Sequence, residues 1–220
     1  MLIAEDLLLI ATDDATGKIT VSSMQLDPAL AGAVLMELVI MGRVGLDGDD
    51  RPKVVVLDPE PMADPVLDVA VRSLLDKGPV RPAPAIGVLT KGLRGRLNES
   101  LAERGILRRE AGRVLGVFPT TRWPTQDSGP EANVRGALVA ALVTGVEPDG
   151  RTAAVISVLT AAGMLGAVVD KPDLKLAKAR GREISAGNWA TDTVRKVIQE
   201  AQAAIATAVM VSTTVAVSSG

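Results

Sequence analysis

The stretch on which the fold turns is Lys91–Trp123, KGLRGRLNESLAERGILRREAGRVLGVFPTTRW. It predicts a helix, a turn at Arg104-Gly105, and then a hairpin whose far end is apolar. Eight positive side chains (Lys91, Arg94, Arg96, Arg104, Arg108, Arg109, Arg113 and Arg122) meet three negative ones (Glu99, Glu103 and Glu110), so the stretch is net +5. The whole chain is −2, and the remainder therefore carries −7. A basic face on an acidic body points to an anionic partner met at one place. The apolar tip beside that face favours a membrane surface over a soluble anion.

Working outward, 220 residues are enough for one large domain spanning 1–220 with a substantial core. Apolar residues make up 47%, and the aromatics are Phe118, Trp123 and Trp189. An aliphatic core of this kind predicts a helix-rich fold. The absence of Cys removes disulfides and fits a reducing compartment. With no His as well, imidazole and thiolate zinc sites and Ser-His-Asp or Cys-His nucleophiles are excluded. Glu5 and Asp6 stand where a secretory signal needs positive charge. The expected location is cytoplasmic, peripheral to a membrane, with no cofactor and no metal.

One uncharged stretch, 201–217 (AQAAIATAVMVSTTVAV), resembles a membrane span but is short and dilute in Leu and Ile. It predicts the end of a long apolar helix running from Asn188 to about Val217, buried at the centre of a bundle. Near the N-terminus, Leu2–Thr12 predicts a short helix or a buried strand. Asp27 then reads as an N-cap and Pro28 as the first residue of a helix ending at Gly42. A hairpin follows over Gly45–Asp58. Pro59–Pro65 is a linker, Val66–Lys77 an amphipathic helix, Pro79–Pro84 a Pro-rich segment, and Ile86–Arg104 the helix of the basic stretch, weakened by Gly87, Gly92 and Gly95. In both halves a helix ends at Gly (Gly42, Gly105) and runs into a hairpin, which looks like an internal duplication. The C-terminal half predicts helices over Glu131–Val146, Arg151–Met164 and Lys175–Glu183. The expected fold is mainly α: a single helical domain around a long apolar C-terminal helix, with two helix–β-hairpin units.

Lys91 and Arg94 are three apart, so on one helix they share a face, with Arg96 at its edge. They form a candidate headgroup site, because guanidinium groups donate in pairs to phosphate; the plain alternative is a solvated basic face. Val114, Leu115, Gly116, Val117 and Phe118 form either half-buried strand or a wedge for lipid or for a second protomer. The helix–hairpin pattern could also be a winged helix, but overall acidity and few aromatics argue against nucleic acid. Asp13, Asp14, Asp47, Asp49 and Asp50 read as turn residues rather than metal ligands. Glu37, mid-helix among apolar neighbours, reads as a structural hydrogen-bonding carboxylate.

Four segments carry a resemblance: Leu7–Lys18 (LLLIATDDATGK), Ala29–Val44 (ALAGAVLMELVIMGRV), Leu93–Leu107 (LRGRLNESLAERGIL) and Val114–Thr121 (VLGVFPTT). In order and spacing they resemble the Golgi phosphoprotein 3-like proteins over nearly the whole chain. The resemblance implies a mostly α-helical, non-enzymatic adaptor that binds phosphatidylinositol 4-phosphate, holds membrane-protein clients, and uses a hairpin for insertion and self-association. The family's two later basic positions match Lys91 and Arg94, and its hairpin tip matches Val114–Val117. Its Trp falls on Ser22 and its first Arg on Ala31, so half of the phosphoinositide pocket is missing. Each lost phosphate contact removes about 1.5–3 kcal/mol. Weaker attraction to anionic headgroups is what survives. The Arg-rich, Lys-poor composition points to a bacterial, actinobacterial-type member.

Overall fold

The computed structural model describes residues 1–47, 51–114, 118–187, 196 and 199–210. Its first helix, α1 (Ile3–Ile10), is buried on every side, including Glu5 and Asp6. A helix so enclosed cannot leave its first N–H groups to water and must find partners for them. Glu5 reaches back to accept from the Leu2 N–H at 2.8 Å, and the Ile3 N–H donates to Glu37 at 2.6 Å. Glu37 is therefore structural: it ties α2 to the start of α1. Arg104 pairs with Glu5, and Arg151 donates to Asp6 Oδ2 at 2.5 Å.

The central long helix is α2 (Ser23–Ile40), buried almost without interruption from Leu26 to Val39. It starts five residues earlier than Pro28 predicts. Ser22 is the N-cap, its Oγ accepting from the Met24 N–H at 3.2 Å, and Pro28 lies inside the helix. The ring costs one i→i−4 bond there, close enough to the N-terminus to be tolerated. Asp27, freed from capping, turns to another partner. Among the described residues α2 alone is long and apolar enough to cross a membrane, yet 61% of its apolar window is buried in the protein.

This overturns the expected long apolar C-terminal helix as the centre of the fold. Residues 199–210 are helical, but only Ala201, Ala204 and Ile205 are buried, while Ala203, Thr207 and Met210 are exposed. Ala and Thr are small enough to sit in solvent at little cost, so absence of charge did not mean burial. The helix packs by one stripe. Ile205 fills a notch at Gly32 of α2, where an added Cβ would stand 2.2 Å from its Cδ1.

The two hairpins stand where predicted. β1 (Val44–Asp47) pairs antiparallel with β2 (Lys53–Val56), and β3 (Glu110–Val114) with β4 (Phe118–Arg122). The helices before them end alike. Gly42 donates to Val39 and Arg43 to Leu38; Gly105 donates to Ala102 and Ile106 to Leu101, both glycines at φ near 70°. The same Schellman closure recurs at Gly163, where no hairpin follows, so the shared ending is a common cap rather than a mark of repetition.

Between the hairpins, α3 (Pro65–Lys77) is capped by Asp64, which accepts from the Val66 and Leu67 N–H groups. The next helix, α4 (Pro82–Thr90), begins within the Pro-rich segment, four residues before Ile86, prolines in its first turn being harmless. The predicted Ile86–Arg104 helix is two helices, because Gly92 at φ 64° breaks it before α5 (Leu93–Glu103). Leu93, Leu97 and Leu101 of α5 are buried, so this segment is no free reading helix. Then come α6 (Gly129–Val139), a π-turn (Ala140–Thr144), α7 (Gly150–Ala161), a 3₁₀ turn (Leu165–Ala167) and α8 (Leu174–Ala186). One connected set of buried residues runs from Leu2 to Ile205.

Two outcomes follow from this packing. Ile205→Ala is expected to cost about 2–4 kcal/mol in urea unfolding. Gly32→Ala, destabilising alone, becomes neutral or better in that background, since the clash is gone and Ala favours helix. Additive costs would place Ile205 elsewhere. Asp6 has its carboxyl raised above the ordinary 3.8, chiefly by burial, with Arg151 acting the other way. The folded state then holds this proton more tightly than the unfolded one. Asp6's contribution to stability falls as pH rises from 3.8 through its raised folded value, and is level above that. Asp6→Asn should remove this component, seen as a difference in slope between the two proteins in unfolding series from about pH 4 to about pH 7.

Candidate headgroup-binding face

Lys91 is the C-cap of α4 and Gly92 the left-handed hinge that follows, so Lys91 projects from a corner and not from the face of a continuous helix. Arg94 and Arg96 lie in the first turn of α5. The spacing argument for one shared face therefore fails, although the corner keeps the three cations close in sequence.

Their electrostatic states differ. Arg94 donates to Asp27 Oδ2 at 2.9 Å, both side chains about one-third exposed. Its charge is largely spoken for. Arg96 folds back over the glycine hinge, where a Cβ on Gly92 would stand 3.0 Å from its guanidinium. Its Nε is buried without a partner. Among the described residues, Lys91 and Arg96 are in no ion pair. The α5 N-terminus beside them carries no side-chain cap, leaving N–H groups and the positive end of the helix dipole facing the same corner. Asp27 and Glu5, both outside the basic stretch, cancel two of its charges and reduce its +5 to +3.

The basic hairpin is built firmly onto the body. The Thr125 N–H donates to Asp14 O at 2.9 Å and its hydroxyl to the Asp14 carboxylate at 2.6 Å. Gly17 lies so close to the backbone of Trp123 and Pro124 that any Cβ would clash at about 2.4 Å. Arg109 stacks over the Trp123 ring at 5.8 Å, and Arg108 pairs with Glu110 at 2.5 Å. Val114 and Phe118 oppose each other as the last pair of the ladder. Leu115, Gly116 and Val117, the rest of the predicted tip, lie outside the described residues.

The two positions where the resemblance lacks its Trp and Arg are also accounted for. Ala31 is fully buried in α2. Ser22 lines an open pocket of about 750 Å³ with Asp13, Asp14, Gln25, Glu131 and Arg135 among others. Lys91, Arg94 and Arg96 do not line it. Arg135 is held by Glu131 at 2.7 Å and by the Ala167 carbonyl at 2.8 Å. Three carboxylates against one occupied guanidinium make this pocket a poor phosphate site. Asp13 is held below its ordinary value by hydrogen bonds from Thr16, so it stays charged. The Asp27–Arg94 pair was not foreseen, because an Asp before Pro reads as a cap; the Ser22-Ser23 pair upstream was the available signal for the true start.

Among the described residues no group of three His, Cys, Asp or Glu side chains is placed to hold a metal. A family profile described as Golgi phosphoprotein 3 (GPP34) matches residues 3–201, and no curated protein matches the chain significantly. The matched span covers α1 through the start of the C-terminal helical residues, including both hairpins and the cationic corner. The chain belongs to the Golgi phosphoprotein 3 (GPP34) family, a family of non-catalytic scaffolds that associate peripherally with membranes.

Proposed function

We propose that this protein is a cytoplasmic scaffold that meets anionic bilayers through the corner between α4 and α5, with broad rather than phosphoinositide-selective preference. The observation that carries this reading is the position of Lys91 and Arg96, in no ion pair among the described residues, on either side of Gly92 at the uncapped N-terminus of α5. Phosphate oxygens suit both elements. Arg94 belongs to the same corner but is restrained by Asp27, so it supports the shape of the site more than its charge. The acidic lining of the pocket at Ser22 supports the loss of phosphatidylinositol 4-phosphate selectivity. A bacterial source would accord with that loss.

In this reading the hairpin tip, Val114–Phe118, adds apolar contact with lipid or with a second copy of the chain. Each basic side chain near an anionic surface contributes about 1 kcal/mol. Two free cations alone hold the protein only weakly, and self-association through the hairpin would raise avidity without new headgroup contacts. A membrane-protein client is the natural cargo of such a scaffold.

The test is co-sedimentation with vesicles of phosphatidylcholine alone, with added phosphatidylserine, or with added phosphatidylinositol 4-phosphate. Comparable binding to both anionic types, and none to the neutral one, is expected. Lys91→Ala with Arg96→Ala should weaken it about 30-fold, the equivalent of about 2 kcal/mol. Unchanged binding would remove the corner from the interface.

Arg94 and Asp27 give a separate prediction of opposite signs. Asp27→Asn releases Arg94 and should strengthen partitioning to phosphatidylserine vesicles several-fold, while Arg94→Ala should weaken it less than the double substitution does. Stability should change by less than about 1 kcal/mol in either variant, the pair being partly exposed. Weaker partitioning of Asp27→Asn would show that the ion pair itself shapes the site. Leu115→Asp tests the tip: reduced vesicle binding supports insertion, whereas dissociated oligomers with intact binding assign it to self-association.

A further inference from the structure

α7, α8 and helical residues 199–206 line an open groove of about 420 Å³. Ala161, Ala186, Ala203 and Ala206 form an apolar wall of small side chains. Such a stripe alone signifies nothing, but two polar atoms in the lining are unexplained. Ser157 is fully buried and its Oγ has no partner. Its neighbours in the same groove behave differently: Thr160 donates to the Ile156 carbonyl at 2.7 Å and Ser185 to the Gly181 carbonyl at 2.6 Å. The Gln202 Nε2, reaching in from the facing helix, is also buried and unpartnered. Orphan polar atoms inside a protein cost free energy, and two in one groove call for an occupant.

The chemistry of the lining selects that occupant. Gln202 Nε2 and the Ser157 hydroxyl are donors, and Arg182, exposed at the rim, is the charged side chain of the lining, with no ion pair among the described residues. Donors plus one cation suit an anion that only accepts hydrogen bonds. The alanine wall suits a narrow aliphatic chain, and the volume is within the range of small-ligand sites.

We propose that this groove binds an aliphatic carboxylate of fatty-acid type. The carboxylate sits between Arg182, Gln202 and Ser157, and the chain lies along Ala161, Ala186, Ala203 and Ala206. Because Ser157 Oγ and Gln202 Nε2 are closed to water in the free protein, the ligand engages them by rotating the half-exposed Gln202 side chain. The site shares no residue with the α4–α5 corner and stands independently of the membrane reading.

Titration calorimetry of the full chain with dodecanoate, below its micelle concentration, tests it against dodecanol, dodecylammonium and acetate. Saturable binding of one dodecanoate per chain is expected, with dodecanol weaker and dodecylammonium and acetate undetectable. Arg182→Gln should weaken dodecanoate about tenfold and leave dodecanol unchanged. Ser157→Ala should weaken dodecanoate several-fold, and Ala203→Leu, at an exposed position that leaves folding intact, should abolish binding of both. Vesicle co-sedimentation of all three variants should match the unaltered protein. The proposal is overturned by absence of saturable dodecanoate binding, by equal binding of dodecylammonium or acetate, or by full binding in Ala203→Leu.

Discussion

The fold depends on a helix that has no exposed side. With α1 enclosed, every polar group in its first turn must be answered by another element, and each answer fixes that element in place. Glu37 comes from α2, Arg104 from the end of α5, and Arg151 from the start of α7. Three helices distant in sequence are thus brought to one end of an eight-residue segment. Removing one partner would leave a buried charge uncompensated, which is far costlier than losing a surface ion pair. Asp6 already shows the strain of the arrangement, with one carboxylate oxygen unpartnered.

The same principle separates what is structural from what is available on the cationic corner. Of the eight positive side chains in the basic stretch, Arg104 belongs to the α1 anchor, Arg94 to α2 through Asp27, and Arg108 and Arg109 to the hairpin's own surface. A linear charge count treats them alike. Among the described residues Lys91 and Arg96 are the cations of the corner that no carboxylate neutralises, and the α5 terminus between them carries no side-chain cap.

Much of this was legible in the chain itself. Gly42 and Gly105 mark the helix ends, the helical pattern from Val66 to Lys77 marks α3, and both hairpins lie in the segments that read as hairpins. Two features were not legible, for physical reasons. The Ala- and Thr-rich C-terminal stretch looked central because it has no charge, but small side chains carry little hydrophobic drive and only one stripe of them is buried. The true centre, α2, carries Leu, Val and Met on all sides, yet Asp27-Pro28 disguised its first turn. In the corner, Lys91 and Arg94 were identified by type and spacing. Gly92, where their helix splits, was already a weak point of it, but that Asp27 would claim Arg94 depends on a contact between residues 67 apart.

The splice between the hairpin and the loop after α1 has a mechanical meaning. Gly17 admits no side chain against Trp123, and Thr125 is bonded twice to Asp14, so the hairpin base cannot hinge freely on the body. The base of the hairpin is therefore a fixed joint: a load that reaches it at Thr125 passes through Asp14 into the loop after α1, and so into a helix enclosed by the bundle.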